Sequence, residues 1–323
     1  MLDRMIMRFH KNLFHNIAFF LDSVVTRLLY WLPDELYLKS RFRLGVGYWP
    51  NFENPKSFTE KINWLKLHDR KSAYTMMVDK YAVKGYVAQK VGAEFVIPTI
   101  AVWDSPEEID FDRLPEQFVL KTTHGGGSGG VVVCRDKSLL NKEKAVSILR
   151  ESMDSDIYKN FREWPYKNVR KRIIAETFIA PKAELQNAKY DLTDYKFFCF
   201  DGTPEYCQVI RDRHSKETID FYDMRWRHQD FVGLLPRNGN CPVVSNGEVP
   251  VARPERLDDM ISICKKLASG IPFVRVDLYV VDERVYFGEL TFYPASGIGV
   301  FQPQNWDIEL GKLINCKNET VLL

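Results

Sequence analysis

The chain has 323 residues, 45% of them apolar and 27% charged, a balance that suits a globular protein and excludes disordered and collagen-like chains. The 45 Lys and Arg residues nearly balance the 43 Asp and Glu residues, so the net charge of +2 disfavours a protein that coats nucleic acid. The length predicts about two domains. The six cysteines include no C-x-x-C pair, which indicates thiols in a reducing compartment rather than a disulfide framework.

The first predicted element is a helix over residues 12–32, where apolar side chains recur at helical spacing. Asp22 and Arg27 interrupt the apolar run, so we do not expect a transmembrane helix. No small-residue cleavage site follows, which argues against a signal peptide. Two interpretations stay open: a helix packed on the body of the protein, or an interfacial helix that touches the inner face of a membrane. The expected location is cytoplasmic under both.

Helices come first in the chain and strands follow. Ser57 and Glu60 form a capping box that predicts a helix near 58–68, and a second helix is predicted near 75–91. The remaining predictions, in chain order, are strands at 118–122 and 131–134, helices near 141–153 and 155–163, a strand at 173–176, a hairpin of 195–200 and 206–211, a loop over 230–250, a helix near 255–268, and a hairpin of 273–281 and 285–292. This order predicts the α+β class.

Residues 124–130, His-Gly-Gly-Gly-Ser-Gly-Gly, hold five glycines between two predicted strands. Such a loop lets backbone N–H groups approach a phosphate closely. A Walker loop and a dinucleotide-binding loop both lead into a helix, whereas Val131 opens a strand. The spacing fits a protein-kinase loop, but the chain has no His-Arg-Asp and no Asp-Phe-Gly. The pattern indicates a phosphate-covering flap, called here the glycine flap (residues 125–130), with a flexible hairpin tip as the alternative.

The last predicted hairpin places two carboxylates on one strand face. With a three-residue turn at 282–284, Asp277 lies opposite Glu289 and Arg275 lies opposite Thr291. Adjacent carboxylates repel each other unless a cation lies between them, and Mg²⁺ takes carboxylate oxygens together with phosphate oxygens. The hairpin therefore indicates a magnesium site. The alternative is a solvated strand face on which Arg275 balances both acids.

The order of these features resembles the ATP-grasp superfamily. Asp79-Lys80 looks like its first nucleotide-contacting lysine, Lys121 before the flap looks like its second, and the strand ending at Glu176 looks like the hinge that meets adenine. The cofactor-binding residues implied by this resemblance are Lys80, Lys121, Gly125, Gly126, Gly127, Ser128, Gly129, Gly130 and Glu176. The resemblance implies ATP and Mg²⁺ as cofactors.

The same resemblance implies catalytic and metal-binding residues. Asp194-Tyr195-Lys196, with Arg211 on the partner strand, is similar to the Asp-x-Arg…Arg feature of amino-acid-adding ligases. Lys196 and Arg211 would stabilise the transferred phosphoryl group, and a four-residue loop at 202–205 would set them opposite each other. Asp277, Glu289 and Thr291 look like the metal ligands, although Thr291 stands where most relatives have Asn.

One branch, the TupA-like ATP-grasp family of bacterial surface-polysaccharide synthesis, is closer still. The motifs that carry this likeness are Asn54 to Lys61, Glu163 to Tyr166, Asp194 to Phe198, Arg275 to Tyr279 and Gly288 to Phe292. The implied activity is a carboxylate–amine ligase that works through an acyl phosphate. Its implied substrates are an amino acid and a uronic-acid glycan of the capsule or cell wall, or the lipid-linked or nucleotide-linked precursor of that glycan.

Two other functions stay open at this point. A glycosyltransferase of the same pathway would use Asp110-Phe111-Asp112 to hold a metal–sugar-nucleotide, and a phosphotransferase would use the same ATP site with a hydroxyl acceptor. The expected architecture is an ATP-grasp fold in which two α+β subdomains grip the nucleotide. Its expected parts are an N-terminal helical region (1–55), a helical lead-in (56–117), a flap subdomain (118–192) and a C-terminal subdomain with the metal hairpin (193–323).

Overall fold

The computed structural model describes residues 28–126, 129–184, 192–211, 217–235 and 246–316. The prediction of an N-terminal helix over 12–32 therefore lies outside the described residues, apart from 28–32. No helix in the described ranges is both long enough and apolar enough to cross a membrane. The α-helices are α1 (Asp34–Gly45), α2 (Phe58–His68), α3 (Ala73–Val78), α4 (Ala82–Lys90), α5 (Lys142–Asp154), α6 (Ile157–Phe161), α7 (Leu257–Ala268) and α8 (Asn305–Lys312).

The capping box predicts the start of α2 correctly. The Ser57 side chain accepts a hydrogen bond from the Glu60 backbone, and the Glu60 side chain accepts one from the Ser57 backbone. The prediction of one helix over 75–91 is wrong, because Asp79 has an extended backbone and divides it into α3 and α4. The Asp79 carboxylate accepts the N–H groups of Tyr81 at 2.8 Å and Ala82 at 3.1 Å, so α4 starts there. Lys80 consequently lies at the junction of two helices.

The strands form two main antiparallel sheets, which confirms the α+β class. The small sheet has the order β1-β4-β2-β3 and contains β1 (Thr99–Trp103), β2 (Phe118–Thr122), β3 (Val131–Cys134) and β4 (Ile173–Thr177). The large sheet has the order β11-β10-β5-β6-β7-β8 and contains β5 (Asp194–Phe200), β6 (Thr203–Arg211), β7 (Thr218–Asp223), β8 (His228–Gln229), β10 (Phe273–Val281) and β11 (Arg284–Thr291).

Two strands lie where the sequence suggests other structure. The strand β1 comes from the segment predicted as a helical lead-in, and it joins the small sheet by pairing with β4. The strand β9 (Val232–Leu235) lies in the predicted loop 230–250, and it pairs with the distant β12 (Val300–Gln302). Each pairing joins residues far apart in sequence, so local patterns do not reveal it.

Each sheet packs one face on helices. Phe118 and Leu120 of β2 are fully buried against Leu149 of α5 in a small core. A larger core joins the large sheet to α2 and α7, with Phe58 of α2 in edge contact with Phe273 of β10 at 5.0 Å between ring centroids. Because side chains alternate along a strand, the opposite faces of these strands carry the polar residues of the candidate site.

Candidate active site

The β10–β11 hairpin sets the carboxylates opposite each other. Asp277 pairs with Glu289 and Arg275 pairs with Thr291, which confirms the predicted pairing. The Asp277 side chain is 1% exposed, whereas that of Glu289 is 30% exposed. The strand face is therefore not solvated at Asp277, which lies in the interior, although Arg275 does contact both acids as that alternative expects.

The predicted three-residue turn at 282–284 is wrong. Asp282 and Glu283 form a two-residue turn, and both have positive φ, as the tight turns that join twisted strands require. A β-bulge restores the pairing at the site, because Leu278 pairs with Phe287 and leaves Gly288 as an extra residue. The two departures from the predicted geometry cancel, so the carboxylates still meet.

Arg275 lies at the centre of this cluster. Its guanidinium donates hydrogen bonds to Asp277 Oδ1 at 2.7 Å and to Oδ2 at 2.8 Å, and it also contacts Glu289 Oε1 at 3.2 Å and Thr291 Oγ1 at 3.1 Å. From the sequence alone, Arg275 is expected only to balance the charge of the two acids. The spacing Arg-x-Asp on one strand face is the signal that would have marked it as part of the site.

Lys196 and Lys80 complete the charge balance. Lys196 on β5 pairs across the sheet with Asp277 and forms an ion pair with it. Lys80 Nζ lies 3.4 Å from Glu289 Oε2. Burial by itself would raise the pKa of the Glu289 carboxyl, but Lys80, Arg275 and Lys196 outweigh burial and hold that pKa well below its usual range. Glu289 is therefore a firmly ionised carboxylate.

The donor chemistry of this cluster fits Mg²⁺. Glu289 and Asp277 offer carboxylate oxygens and Thr291 offers a hydroxyl oxygen, the hard donors that this ion prefers. Within the described ranges, no group of three or more His, Cys, Asp or Glu side chains is placed to hold a metal ion. A protein site of two carboxylates and one hydroxyl leaves the remaining positions to phosphate and water, which is how Mg²⁺ commonly binds with nucleotides.

Lys80 links this cluster to the glycine flap. Its backbone N–H donates to the Thr123 carbonyl at 2.9 Å, and its Nζ donates to the Gly125 carbonyl at 2.6 Å while facing Glu289. The Lys80 ammonium therefore joins the flap to the large sheet, and the Lys80 backbone joins both to the residue that follows β2. Lys80, the Gly125 carbonyl and Glu289 are thus in contact, and their nucleotide-binding and metal-binding roles stay a prediction.

The base of the flap is tightly packed. Gly130 has φ +74°, and a Cβ there would lie 2.2 Å from Ser152 Oγ and 2.7 Å from Thr122 Oγ1. Only glycine fits this position. Gly127 and Ser128, at the tip of the flap, lie outside the described residues.

Lys121 and Glu176 form a second group. Glu176 Oε2 lies 2.6 Å from Lys121 Nζ, and its Oε1 lies 2.6 Å from Lys84 Nζ. Burial would raise the pKa of Glu176, but Lys121 and Lys84 outweigh burial and lower it. Lys84, which is not among the predicted site residues, donates hydrogen bonds to the Ile97 carbonyl and the Thr99 hydroxyl. Its position four residues after Lys80 is the sequence signal that could have drawn attention to it.

Arg211 does not face Lys196, so that prediction is wrong. Lys196 pairs with Gln208, because β5 and β6 are joined by a two-residue turn at Asp201 and Gly202 rather than by a four-residue loop. Arg211 donates instead to Asp220 Oδ2 at 3.1 Å and to the Val249 carbonyl at 2.9 Å. The structure therefore assembles Lys196 with Asp277, and it places Arg211 at the end of β6 beside β7.

The sequence matches the family described as TupA-like ATPgrasp over residues 60–315. The chain belongs to this family. The two sheets that meet at Lys80 and the glycine flap are accordingly an ATP-grasp fold. The family name identifies ATP as the nucleotide that this fold binds. No curated protein matches the sequence.

Several solved structures are similar in part. D-alanine–D-alanine ligase from Bacillus anthracis, complexed with ATP, has 15% identity, a TM-score of 0.37 and coverage of 67% of this chain and 54% of that one. D-alanine–D-alanine ligase from Helicobacter pylori has 15% identity, a TM-score of 0.39 and coverage of 74% and 62%. The ATP-grasp ligase PsnB, complexed with minimal precursor, Mg and ADP, has 11% identity, a TM-score of 0.36 and coverage of 72% and 57%.

The chain thus spans between 54% and 62% of the length of these three structures. Their TM-scores, all below 0.5, mark a partial likeness. The family assignment therefore rests on the family match over residues 60–315 alone.

Proposed function

We propose that this protein is an ATP- and Mg²⁺-dependent carboxylate–amine ligase that works through an acyl phosphate. The observation that carries the proposal is the single meeting point of Lys80, the Gly125 carbonyl of the flap and Glu289. The Lys80 ammonium contacts the flap on one side and Glu289, one of the two paired carboxylates, on the other. This is the arrangement needed to hold triphosphate oxygens beside a metal ion.

The proposed roles follow from charge. Lys80 and Lys121 would contact phosphate oxygens. Arg275 and Lys196, which both form ion pairs with Asp277, are the other cations able to turn towards a transferred phosphoryl group. Asp277, Glu289 and Thr291 would hold Mg²⁺, which supplies charge neutralisation between phosphate oxygens. The glycine flap would close over the phosphates and keep water from the acyl phosphate.

The substrates are the finer part of the proposal. The motifs shared with the TupA-like family support a uronic-acid glycan, or its lipid-linked or nucleotide-linked precursor, as the carboxylate and an amino acid as the amine, in capsule or cell-wall synthesis. Peripheral contact with the inner face of a membrane remains a prediction that rests on the N-terminal residues alone.

Neither rival function gains support from a specific contact. Asp110 and Asp112, the glycosyltransferase signature, have side chains that are 52% and 88% exposed and pair with Arg113 and Lys142 on the surface. Such exposed ion pairs contribute little and need no ligand. A phosphotransferase would use the same ATP site, so it is separated from the ligase by its product.

The test is an incubation of the protein with ATP, Mg²⁺ and a panel of uronic acids, with and without amino acids. A ligase releases ADP when a uronic acid is present and forms an amide, seen by mass spectrometry, when an amino acid is added. Lys80→Ala should abolish both products, whereas Lys142→Ala, a matched change of an exposed lysine, should leave them unchanged. A stable phosphate ester instead of an amide would establish the phosphotransferase. Sugar transfer from a nucleotide sugar, supplied to the same acceptors in place of ATP, would establish the glycosyltransferase.

A further inference from the structure

One shared motif, residues 163–166, has no role in the function proposed above. Its Glu163 carboxylate belongs to a residue that is only 7% exposed, and its Oε1 accepts a hydrogen bond from Ser296 Oγ at 2.7 Å. Among the residues that the structure describes, no Lys or Arg forms an ion pair with it. A buried carboxylate whose bonded partner is a neutral hydroxyl is costly and calls for a reason.

The turn that carries Ser296 is strained. Ala295 and Ser296 have φ of 47° and 51°, left-handed values that residues with a side chain rarely adopt. The helix α2 holds this turn in place, because Asn63 Nδ2 donates to the Gly297 carbonyl at 2.6 Å and Lys66 Nζ donates to the Ser296 carbonyl at 2.8 Å. The strain is therefore maintained by contacts from a distant part of the chain.

This turn follows directly on the strand of the carboxylate pair. Ser296 lies five positions after Thr291, the last residue of β11, and its side chain is half-buried, so that a bound molecule can reach it. Residues 164–168 and the strand β11 both pack on α3. Glu163 and Ser296 therefore lie in the same packed region as β11, near the proposed phosphoryl-transfer centre.

The charge of Lys66 favours the ionised form of Glu163, although the two side chains form no ion pair. The Lys66 ammonium is buried and donates to the carbonyls of Phe161 at 3.0 Å and Ser296 at 2.8 Å, while its charge faces Glu163. Burial raises the pKa of Glu163, and the charge of Lys66 partly offsets this. Tyr166 and Tyr293 are the other titratable groups that face this carboxylate. Glu163 is a carboxylate with a higher proton affinity than a surface glutamate.

We propose that Ser296 and Glu163 form the proton acceptor for the amine substrate, a proposal that rests on the ligase function. Ser296 Oγ would contact the acceptor's ammonium group. As the ammonium passes one proton to Ser296 Oγ, the hydroxyl proton moves to Glu163 Oε1, which leaves a neutral amine and a protonated Glu163. Ser296 touches the substrate, and Glu163 acts through it as a positioning and proton-accepting residue.

The step balances with the rest of the reaction. The amine nitrogen forms a bond to the acyl carbon, the bond from that carbon to the phosphate oxygen breaks, and the second amine proton leaves with the phosphate. Glu163 then returns its proton to solvent. An aliphatic amine is largely protonated at neutral pH, so a general base is needed, and such a base typically contributes about 10²–10⁴-fold in rate.

The neighbouring carboxylates are poor candidates for this task. Asp277 is bonded to Arg275 and Lys196, and Glu289 lies 3.4 Å from Lys80 Nζ and accepts a hydrogen bond from Arg275 at 3.2 Å. A carboxylate held ionised by cations has little tendency to accept a proton. Glu163 lacks such an ion pair in the described part of the chain.

Hydroxylamine separates this role from a structural one, because it is largely unprotonated at pH 7 and needs no base to attack an acyl phosphate. The experiment uses the full chain with ATP, Mg²⁺ and a uronic acid that the parent turns over, and it measures the hydroxamate with hydroxylamine and the amide with an amino acid. Glu163→Gln and Ser296→Ala should lose about 10²-fold in amide formation at pH 7 yet retain hydroxamate formation. Amide formation by both variants should rise about tenfold per pH unit towards the amine pKa.

The control is Ser147→Ala, which removes an exposed hydroxyl on α5 and should change neither product. Equal losses of hydroxamate and amide in Glu163→Gln would overturn the proposal, because they would show that Glu163 supports the fold or the first half-reaction. Unchanged amide formation would overturn it as well. A parent enzyme that forms neither product with any uronic acid would refute the proposed ligase function itself, which is a different result.

Discussion

Replacing Arg275 by Gln tests the charge balance of the candidate site most directly. The guanidinium contacts Asp277, Glu289 and Thr291, and the Asp277 side chain is 1% exposed. Arg275→Gln would leave two carboxylates with Lys196 and Lys80 as their remaining cations. Removing one member of a buried ion pair costs about 3–5 kcal/mol. Because Lys196 stays on Asp277, we expect the lower end, about 3 kcal/mol, a large share of a typical stability of about 5–15 kcal/mol.

Magnesium should reverse this loss in part. A divalent ion between Asp277 and Glu289 replaces the missing positive charge, and a ligand at 100 times its dissociation constant stabilises a protein by about 2.7 kcal/mol. The assay is urea unfolding of parent and variant at pH 7, with and without Mg²⁺. The parent should respond less to Mg²⁺ than the variant, because Arg275 already neutralises the pair.

The matched control is Arg150→Gln, which removes an exposed ion pair with Glu107 whose side chains are 55% and 56% exposed. Such a pair is worth about 0–1 kcal/mol, so this variant should unfold almost like the parent. The reasoning would be refuted if Arg275→Gln matched the control. If Arg275→Gln is destabilised but its free energy of unfolding does not change when Mg²⁺ is added, the carboxylates do not bind the metal.

Four further outcomes are expected. Lys121→Ala should abolish ADP release while keeping the near-ultraviolet circular dichroism of the parent, and loss of that signal would identify a structural residue. The double variant Gly126→Ala and Gly129→Ala should slow turnover more than it weakens ATP binding, since closure needs backbone freedom, and unchanged turnover would leave only a hairpin tip. Thr291→Asn should keep or improve magnesium-dependent activity, because an amide oxygen is a better Mg²⁺ ligand than a hydroxyl; a magnesium titration of ATP turnover would reveal a loss. Burial lowers the pKa of Lys66 from 10.5 to about 8, so the unfolded state binds more protons than the folded state between pH 8 and pH 10.5. The free energy of unfolding of the parent should therefore rise with pH in this range relative to that of Lys66→Met. The same pH dependence in both proteins would contradict this.

Local sequence determined the elements that obey short-range rules. The alternation of Val274, Val276 and Leu278 with polar residues predicts a strand with one buried face, and those three side chains are fully buried. The Ser57–Glu60 capping box fixes the start of α2 through hydrogen bonds within four residues. The pairing of Asp277 with Glu289 also follows from local counting, although it holds because the bulge at Gly288 compensates a shorter turn.

Tertiary structure decided what depends on distant partners. The sequence could not place Lys84 on Glu176 or Ser296 on Glu163, because these contacts join residues brought together only when the helices pack on the sheets. Arg211 was misplaced for a related reason: the two-residue turn at Asp201 and Gly202 and a bulge shift the β5–β6 register, and neither has a unique sequence signature. Turn length and bulges are set by how two strands fit a twisted sheet, so residues far from a turn acquire their partners only from the assembled sheet.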